Sequence, residues 1–456
     1  MAVPPVRFLI IGGGPAGNLA ATTAARLGAE VTLVERDIVG GAAHLWDCIP
    51  SKAMIATGGA MSFARRSAGM GLAPLHAEID TDALKQRIVG IEHHLNQSVS
   101  DLLMSQGVNV VQGAGSLKGP HEVVIETEAG IEEVYADAIL LCTGSRPRIP
   151  DWCEPDGDRI LTTRQAYPPP VLPSHLVVIG SGVTGVEFVH MFRSFGSQIT
   201  LIVSGQQVLP RKDPEVAAAL EDDFLSTGVR LLKGARAVGL ERTADEVIVH
   251  CNDGRVARGS HALLAIGQIP NTEGLGLEQA GIDVDSRGYV PINHHCQTNL
   301  PHVYAAGDIS GKIPLSSVAS MQGRKIAEHV LGLHTRRHRH LDYDKAAQAI
   351  FTEPEIAEVG IAEAEAFATG RKLRVTKVPF AANAKALIND NPRGFVKILS
   401  DPATGVVLGG SIVGRHAAEL ISVIALAVNA NLKVIDVVES LLVHPTLAES
   451  IAEAAE

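Results

Sequence analysis

The fold of this chain is indicated first by residues 6–17, which read Val-Arg-Phe-Leu-Ile-Ile-Gly-Gly-Gly-Pro-Ala-Gly. A short, mostly apolar run such as residues 6–11 is typical of a buried parallel strand. The run is followed by Gly12, Gly14 and Gly17 in G-x-G-x-x-G spacing. Such a turn lets backbone N–H groups approach a pyrophosphate at a helix N-terminus.

The residues after this turn complete a dinucleotide-binding unit. A helix is predicted over residues 18–27 and a second strand over residues 31–34. That strand ends at Glu35, where a carboxylate suits the ribose hydroxyls of a nucleotide. Strand, glycine turn, helix and acid together predict dinucleotide binding far more strongly than the glycines alone.

The same architecture recurs after a proline-rich junction at residues 167–173. Strands are predicted over residues 175–179 and 199–203, with a second G-x-G-x-x-G turn between them. The glycines of this second turn are Gly180, Gly182 and Gly185. A duplicated dinucleotide-binding unit is more specific than either copy, and it predicts two nucleotides, one of which donates electrons to the other.

The second copy lacks the acid of the first. The position equivalent to Glu35 is occupied by Val203, and neutral residues follow it. Arg211 and Lys212 lie a few residues further on. Because an NAD-selective site usually carries Asp or Glu here and an NADP site offers Arg, the pattern favours NADPH or mixed use. A Val203→Glu exchange is expected to shift the preference towards NADH.

Composition and charge limit the class of protein. The chain has 456 residues, 46% of them hydrophobic and 20% charged, which is typical of a globular protein with several domains. The formal net charge of −11 argues against nucleic acid and anionic membrane as partners. Neither a targeting segment nor an integral membrane segment is expected. Five scattered cysteines fit a reducing compartment, so we expect a cytoplasmic enzyme.

A candidate reactive cysteine lies in residues 40–52, which read Gly-Gly-Ala-Ala-His-Leu-Trp-Asp-Cys-Ile-Pro-Ser-Lys. Pro50 suits the first turn of a helix, since its missing N–H costs nothing there. Cys48 is then expected at the helix N-terminus, where the dipole favours a thiolate. Lys52, four residues on, is expected on the same helix face.

This stretch resembles the redox-disulfide segment of the flavoprotein disulfide reductases, the family of dihydrolipoamide dehydrogenase, glutathione reductase and mercuric reductase. The family pattern is Gly-Gly-Thr-Cys, four residues, and then Cys-x-Pro-Ser-Lys. The chain matches the length and the ending of this pattern, but Ala43 stands where the first cysteine is expected. No disulfide is therefore expected within the segment.

The resemblance covers essentially the whole chain and implies an α/β fold with three parts. Two Rossmann-like FAD- and NAD(P)-binding domains of the three-layer ββα type are joined to a C-terminal α+β dimerisation domain. The implied FAD-binding domain comprises residues 1–150 and 271–340, the NAD(P)-binding domain residues 151–270, and the dimerisation domain residues 341–456. The first glycine turn would hold FAD and the second NADPH or NADH.

The resemblance also implies roles for single residues near the cofactors. Glu187 is expected to pair with Lys52 beneath the flavin N5, and Asp308, at a strand end, to hold the flavin ribitol. Gln268 takes the place of a family arginine where the chain returns to the flavin domain. Further cofactor-binding residues are implied at strand ends and domain crossings: Gly115, Thr143, Gly144 and Gly267.

The C-terminal part resembles the family's dimerisation domain, and a hairpin is predicted there over residues 394–400 and 406–413. In the family, a histidine and a glutamate that match His444 and Glu449 reach across to the other subunit. The carboxylate fixes the tautomer of the imidazole, which acts as a base. The resemblance therefore implies a homodimer and assigns proton transfer to this pair.

Two histidine-rich stretches are interpreted without a metal. Residues 334–340 read His-Thr-Arg-Arg-His-Arg-His and are predicted to be a solvated linker, because they lack acidic and thiol groups. In residues 294–296, His-His-Cys, neighbouring side chains are expected to point to opposite faces of a strand and to chelate poorly. No metal site is expected.

The leading hypothesis is a flavin-only reductase. Reduction of a dithiol substrate needs an attacking thiolate and a second sulfur, and the second sulfur is missing here. NAD(P)H would reduce FAD, which would pass electrons to a diffusible acceptor such as a quinone, while His444 of the partner subunit protonates the product. Some relatives of dihydrolipoamide dehydrogenase that lack the cysteine pair are quinone reductases, and residues 40–43 resemble theirs.

Three alternatives stay open. Cys48 alone could cycle through sulfenic acid or a mixed disulfide, which would make the protein a peroxide or mixed-disulfide reductase. The soluble pyridine nucleotide transhydrogenases also break the cysteine pair. A non-catalytic dihydrolipoamide dehydrogenase-like subunit would lack bound FAD, although the presence of Lys52, Glu187 and His444 argues against it.

Overall fold

The computed structural model describes residues 4–333 and 340–456. The chain divides into two compact units, each assembled from three segments. Unit one is formed within Met1–Ser51, Lys85–Pro147 and Gln268–Tyr343. Unit two is formed within Lys52–Leu84, Arg148–Gly267 and Asp344–Glu456.

The described residues contain both α-helices and strands, numbered here in chain order. The α-helices are α1 (Pro15–Arg26), α2 (Ile49–Arg66), α3 (Thr81–Ser105), α4 (Val183–Ser194), α5 (Pro214–Ser226), α6 (Leu277–Ala280), α7 (Ser316–Val330), α8 (Glu363–Ala368), α9 (Ala384–Ile388), α10 (Ala417–Ala430), α11 (Val434–Val438) and α12 (Glu449–Ala455). The strands are β1 (Arg7–Ile11), β2 (Glu30–Glu35), β3 (Asn109–Gln112), β4 (Ala114–Leu117), β5 (Glu122–Thr127), β6 (Gly130–Tyr135), β7 (Ala138–Leu141), β8 (Ser145–Pro147), β9 (Ile160–Thr162), β10 (His175–Ile179), β11 (Gln198–Val203), β12 (Arg230–Lys233), β13 (Ala237–Arg242), β14 (Val247–Cys251), β15 (Val256–Gly259), β16 (His261–Leu264), β17 (Gln268–Pro270), β18 (Val303–Ala305), β19 (Gln348–Ile350), β20 (Ile356–Gly360), β21 (Arg374–Pro379), β22 (Phe395–Ser400) and β23 (Val407–Val413).

The main sheet of unit one is parallel, with strand order β18-β7-β1-β2-β3. Strand β1 is buried on both faces: Phe8 and Ile10 join one apolar core, and Leu9 and Ile11 join the other. This confirms the buried parallel strand predicted from the apolar run. Because parallel strands end at a common edge, the residues that follow β1, β2, β7 and β18 all lie at that edge.

Helices α1 and α7 of unit one pack against each other at very short range. The contact depends on Gly323, because a Cβ atom there would collide with the carbonyl oxygen of Ala16. Strands β4, β5 and β6 add a three-stranded antiparallel sheet to this unit. Parallel sheet, helices and antiparallel sheet form the three layers predicted for a nucleotide-binding domain.

Unit two contains a second sheet of the same kind. Its parallel strand order is β12-β11-β10-β16-β9, and a three-stranded antiparallel sheet, β13-β14-β15, accompanies it. Strand β10 is buried from Leu176 to Ile179, as expected for a central parallel strand. The duplication predicted from the two glycine turns is therefore confirmed.

The C-terminal part of unit two is an antiparallel sheet with strand order β19-β20-β23-β22-β21. Strands β22 and β23 form the predicted hairpin around residues 401–405. Helices α10 and α12 cover the sheet through a core that includes Ile412, Ile421 and Ile451. The buried ammonium of Lys397 lies 2.9 Å from Glu363, which compensates the cost of burying its charge.

The sequence of residues 60–105 predicts a helical segment, and the structure corrects this to two separate helices. Helix α2 ends at Arg66, and α3 begins only at Thr81. Gly71, with φ of +80°, and Pro74 account for the interruption, because neither continues a helix. None of the helices in the described part of the chain combines the length and the apolar character that a bilayer crossing requires.

Candidate active site

The first glycine turn connects β1 to α1 in unit one. Gly12 has φ of +111°, and a Cβ atom on Gly17 would collide with the carbonyl oxygen of Gly12. Gly14 caps α1 without a side-chain hydrogen bond, and Pro15 follows it in the first helical turn. The first backbone N–H groups of α1 are therefore available to an anion such as a pyrophosphate.

Glu35 lies beside this turn, at the end of β2. Its carboxylate accepts hydrogen bonds from the backbone N–H groups of Gly13 at 2.6 Å and Asp37 at 2.7 Å. Burial raises the pKa of Glu35, and these two hydrogen bonds partly oppose the rise because they stabilise the charged form. The predicted acid is thus held rigidly at the edge of the sheet where the glycine turn lies.

Two buried polar atoms near this turn have no hydrogen-bond partner. They are Oδ1 of Asn18, in α1, and Nδ1 of His44, in the π-helical turn Ala43–Asp47. The segment that leads to His44 is tied to the glycine turn, because the N–H of Gly40 donates to the carbonyl of Gly13 at 2.7 Å. Burial lowers the pKa of His44 and favours its neutral form. Unsatisfied buried polar atoms are rare in proteins, so this region fits a polar ligand such as FAD.

Cys48 lies between the π-helical turn and α2, directly before the helix N-terminus. Pro50 is the second residue of α2, in agreement with the sequence prediction. The sulfur of Cys48 is 3.6 Å from Oγ of Ser316, the first residue of α7. All five cysteines of the chain lie in the described residues and none forms a disulfide, so Cys48 has no disulfide partner within its segment, as the presence of Ala43 predicted.

Asp308 lies in the 3₁₀ turn Gly307–Ser310, three residues beyond β18 rather than at the strand end itself. Its Oδ2 accepts a hydrogen bond from Oγ of Ser145 at 2.6 Å, and Oγ of Ser145 also contacts Oε1 of Gln268. A hydroxyl has one proton, so the Ser145 hydroxyl donates to one of these two oxygens at a time. Burial raises the pKa of Asp308, and the Ser145 hydroxyl opposes the rise.

The Thr143–Gly144 turn is fixed by one asparagine. The hydroxyl of Thr143 donates to the carbonyl of Asn271 at 2.7 Å, and the Asn271 amide donates back to the carbonyl of Thr143 at 2.9 Å. Gly144 has φ of +70° and Gly267 has φ of +100°, so both turns favour glycine. Gly115 lies in β4, where a Cβ atom would lie 3.2 Å from Ile11, so the chain is closely packed at this position.

The second glycine turn, in unit two, repeats the geometry of the first. Gly180 has φ of +110°, and Gly182 caps α4 without a side-chain hydrogen bond. A Cβ atom on Gly185 would collide with the carbonyl oxygen of Gly180, just as a Cβ atom on Gly17 would collide with the carbonyl oxygen of Gly12. Val203, at the end of β11, is fully buried. The second copy therefore has the turn but no carboxylate.

The two cations that follow β11 have different surroundings. The ammonium of Lys212 lies 2.7 Å from Glu358 and 3.0 Å from Oε1 of Gln348, so its charge is already compensated within unit two. Arg211 is exposed. Of the two residues considered in the sequence as possible phosphate ligands, the geometry favours Arg211.

Lys52 and Glu187 form an ion pair within unit two, with Nζ 3.0 Å from Oε2. The other carboxylate oxygen of Glu187 accepts the backbone N–H of Phe351 at 3.0 Å, and the Lys52 ammonium lies 4.8 Å from the centre of the Phe351 ring. The predicted pairing is confirmed as a contact, and its place beneath the flavin N5 stays a prediction. Glu187 is buried, and these partners compensate the cost of burying a carboxylate.

His444 and Glu449 also lie together in unit two. Nδ1 of His444 is 2.7 Å from Oε1 of Glu449, and Oε2 of Glu449 accepts the N–H of Thr446 at 2.7 Å. The Thr446 N–H and then His444 lower the pKa of Glu449, which keeps the carboxylate ionised. An ionised carboxylate that accepts a hydrogen bond from Nδ1 selects the tautomer in which Nδ1 carries the proton and Nε2 does not.

The fold and these sites define a protein that binds two dinucleotides on two parallel sheets. Residues 6–323 match the family described as Pyridine nucleotide-disulphide oxidoreductase, and residues 346–455 match the dimerisation domain of that family. The chain belongs to this family.

Its relatives include two kinds of oxidoreductase. NAD(P)H dehydrogenase (quinone) from Mycobacterium tuberculosis is 40% identical over 470 residues, which cover 98% of this chain and 93% of the relative. Dihydrolipoyl dehydrogenase from Chlamydia muridarum is 35% identical, with coverage of 98% and 95%. The crystal structure of LpdA from Mycobacterium tuberculosis superposes with a TM-score of 0.94 at 40% identity and covers 99% of both chains.

Family membership establishes the α/β fold with two nucleotide-binding domains and a dimerisation domain. Members use FAD and a pyridine nucleotide, so the chain is an FAD-dependent NAD(P)H oxidoreductase. It lacks the redox disulfide, because Ala43 replaces the first cysteine and Cys48 forms no disulfide.

The sequence analysis missed several side chains that lie beside predicted site residues within each unit. Phe351 contacts Glu187 and Lys52 in unit two, and the residues of unit one are Asn18, His44, Ser145, Asn271, Ser316 and Gln322. Gln322 is fully buried and accepts the N–H of Gly307, which positions the turn that carries Asp308. Ser145 and Phe351 lie in stretches already singled out by resemblance, which was the available signal. Gln322 has no local signal, since its partner is 15 residues away in the chain.

Proposed function

We propose that this protein transfers electrons from NAD(P)H through FAD directly to a quinone-like diffusible acceptor. The observation that carries the proposal is the absence of a second sulfur at the family position: Ala43 occupies that position, and none of the five cysteines forms a disulfide. Dithiol–disulfide exchange requires both sulfurs, so electrons leave the flavin without passing through a disulfide. The relative named NAD(P)H dehydrogenase (quinone), at 40% identity, supports this acceptor class.

The cofactor sites follow from the two glycine turns. FAD supplies a two-electron carrier. We assign to its binding Gly12, Gly14, Gly17, Glu35, Gly115, Thr143, Gly144, Gly267 and Asp308. The nicotinamide nucleotide is assigned to Gly180, Gly182 and Gly185, with NADPH favoured because Val203 replaces the acid. The corresponding domains are residues 1–150 and 271–340 for FAD, 151–270 for NAD(P)H and 341–456 for dimerisation.

The Lys52–Glu187 pair is assigned to charge stabilisation near the flavin N5. The Lys52 ammonium provides a fixed cation for the negative charge that reduction adds to the cofactor. Glu187 holds that cation through one carboxylate oxygen, and the Phe351 N–H holds the other oxygen. Because both partners of Glu187 are geometrically fixed, the cation is preorganised rather than mobile.

The His444–Glu449 pair is assigned to protonation of the reduced acceptor at the site of a second copy of the chain. Supporting this assignment, the His444 side chain is 72% exposed, and the neighbouring apolar residues Leu441 and Val443 are 102% and 73% exposed. Exposed apolar residues beside a proton-transfer pair fit an interface between copies. A homodimer is proposed, together with a cytoplasmic location.

The dimer is tested by sedimentation equilibrium, which is expected to give a mass twice the 48.0 kDa of the chain. The electron transfer is tested by anaerobic titration of the purified holoprotein. One sample is titrated with NADPH and a parallel sample with NADH. A benzoquinone is then added to each reduced sample. We expect full flavin bleaching without a long-wavelength thiolate–flavin band, and fast reoxidation by the quinone. Cys48→Ser is expected to retain quinone turnover within about twofold of wild type.

Two cysteine insertions provide a matched control. Ala43→Cys restores the family spacing to Cys48. This variant is expected to gain a reducible disulfide as a redox group in addition to the flavin, and to show a thiolate–flavin band. Ala42→Cys introduces the same thiol one residue out of register and is expected to add neither. A thiolate–flavin band in the wild type, or loss of quinone turnover in Cys48→Ser, would instead assign the chemistry to Cys48.

The alternatives have their own signatures in the same preparation. Peroxide reduction abolished by Cys48→Ser would indicate a single-cysteine reductase. Hydride transfer from NADPH to an NAD analogue, without quinone reduction, would indicate a transhydrogenase. Purification without bound FAD would indicate a non-catalytic subunit.

A further inference from the structure

Three histidines from two distant parts of the chain lie together on unit one. The ring centres of His294 and His295 are 4.1 Å apart, and those of His294 and His340 are 4.5 Å apart. One nitrogen from each of His294, His295 and His340 lies within 4.8 Å of the other two. We call these three residues the histidine cluster. Residues 334–339 lie outside the described part of the chain.

The structure corrects the expectation that His294 and His295 diverge. They lie in a turn and not in a strand. Oδ1 of Asn293 accepts the N–H groups of His295 at 2.8 Å and Gln297 at 3.0 Å, which folds the chain back on itself. The alternation of side chains along a strand therefore does not apply, and both imidazoles face the same region.

The ring of His295 is supported from within unit one. It stacks on His329 of α7, with ring centres 4.4 Å apart and an interplanar angle of 26°. Nδ1 of His329 lies 2.8 Å from the hydroxyl of Tyr304, a buried residue of β18. His329 is thereby oriented by the sheet, and it restricts the ring of His295 in turn.

We propose that His294, His295 and His340 bind a borderline transition-metal dication of the Zn²⁺ class. Three neutral imidazoles are suitable ligands for such ions, whereas the cluster holds none of the carboxylates that Mg²⁺ and Ca²⁺ require. Tetrahedral coordination with bonds of about 2.0 Å needs ligand nitrogens about 3.3 Å apart. His294 and His340 are exposed, so small rotamer changes can close the present separations.

The ion would link two parts of unit one that are far apart in sequence. His340 is one of the first described residues after the gap at 334–339, and the turn at His294 lies 46 residues earlier. Ligation of all three residues would connect the chain at His340 to the turn at His294 and His295. None of the three histidines is among the residues assigned to electron transfer, so the inference does not rest on the proposed acceptor.

The test is titration of the untagged, full-length holoprotein with ZnCl₂ by calorimetry, with Co²⁺ absorption as a second readout of coordination. We expect one ion per chain at the tightest site. The triple variant H294Q/H295Q/H340Q is expected to bind at that site at least about tenfold more weakly. The double variant H93Q/H94Q, which removes two adjacent exposed histidines of α3, is expected to bind as the wild type does.

Flavin content and NADPH oxidation are measured on every variant to show that the chain has folded. Equal zinc affinity in the triple variant and the wild type would overturn the proposal. An equal loss in H93Q/H94Q would also overturn it, because binding would then reflect the 18 histidines of the chain in general. Single variants at each of the three positions must all weaken binding if the three imidazoles ligate one ion.

Discussion

At the residue scale, the two nucleotide-binding copies differ at a coupled pair of positions. Gly13 has no side chain in the first copy, and a Cβ atom there would lie 3.1 Å from a carboxylate oxygen of Glu35. In the second copy Ser181 and Val203 occupy the equivalent positions. A carboxylate at position 203 would crowd Ser181, so the absence of an acid and the presence of a side chain at 181 belong together.

The first prediction therefore concerns the double variant S181G/V203E. The new carboxylate is expected to accept the N–H of residue 181, as Glu35 accepts that of Gly13, and to bind the ribose hydroxyls. We expect the ratio of kcat/KM for NADH to that for NADPH to rise about tenfold, equivalent to about 1.4 kcal/mol. The measurement is steady-state reduction of a quinone with each nucleotide.

V203E alone is the control. Because Val203 is fully buried and Ser181 fills the space, the single variant is expected to lose stability and to shift the preference less than the double variant does. A double variant with the wild-type ratio would show that position 203 does not contact the ribose.

At the element scale, each glycine turn uses its three glycines for different purposes. Gly185 permits close packing of the turn, because a Cβ atom there meets the carbonyl oxygen of Gly180. A Cβ atom on Gly182 meets no protein atom within 4 Å. Gly182 is therefore dispensable for folding, and its place at the uncapped start of α4 relates it to the ligand.

The second prediction compares Gly182→Ala with Gly185→Ala. Gly185→Ala is expected to destabilise unit two by about 1–3 kcal/mol through overpacking, seen as a lower Tm. Gly182→Ala is expected to keep the wild-type Tm but to raise KM for NADPH about tenfold, because the methyl group occupies the path of the pyrophosphate. If both variants lose Tm equally, the division of roles between the glycines is wrong.

At the scale of the whole molecule, one buried histidine couples stability to pH. His190 of α4 is buried, and desolvation lowers its pKa to about 4. Glu353 opposes this shift and Arg65 adds to it. The ion pair between Arg66 and Glu353 compensates the charge of the carboxylate locally. His190 is consequently neutral in the folded protein near pH 7.

The third prediction follows from the sign of this shift. The folded-state pKa of His190 lies below the ordinary value of 6.5, so only the unfolded chain takes up the proton between about pH 6.5 and pH 4. The contribution of neutral His190 to the free energy of unfolding is complete above pH 6.5, and it declines by up to about 3 kcal/mol as the pH falls to 4. In His190→Gln the decline of Tm over this range is expected to be smaller.

Tm is measured for wild type and His190→Gln at about pH 7, 6, 5 and 4 with FAD in excess. The matched control is His93→Gln, which removes an exposed histidine of α3 and is expected to follow the wild-type curve. Parallel curves for wild type and His190→Gln would show that another group carries the acid sensitivity.

The sequence by itself determined the features that depend on local backbone and on residue identity. The two glycine turns, Glu35, the hairpin around residues 401–405 and the missing sulfur at Ala43 are all readable because each depends on residues close together in the chain. Positive φ at Gly12 and Gly180, and apolar runs buried in parallel strands, act over a few residues. Family resemblance then extended these local features to the pairing of Lys52 with Glu187.

Only the tertiary structure decided the contacts between residues that are distant in the chain. Ser145 meets Asp308, Lys212 is neutralised by Glu358, and His340 joins His294 and His295, although no periodicity or spacing connects them. A side chain's partners across such separations depend on how sheets, helices and turns pack, and a single residue type does not encode that packing. For the same reason the sequence placed His294 and His295 on opposite faces of a strand, while the Asn293 turn brings them to one side.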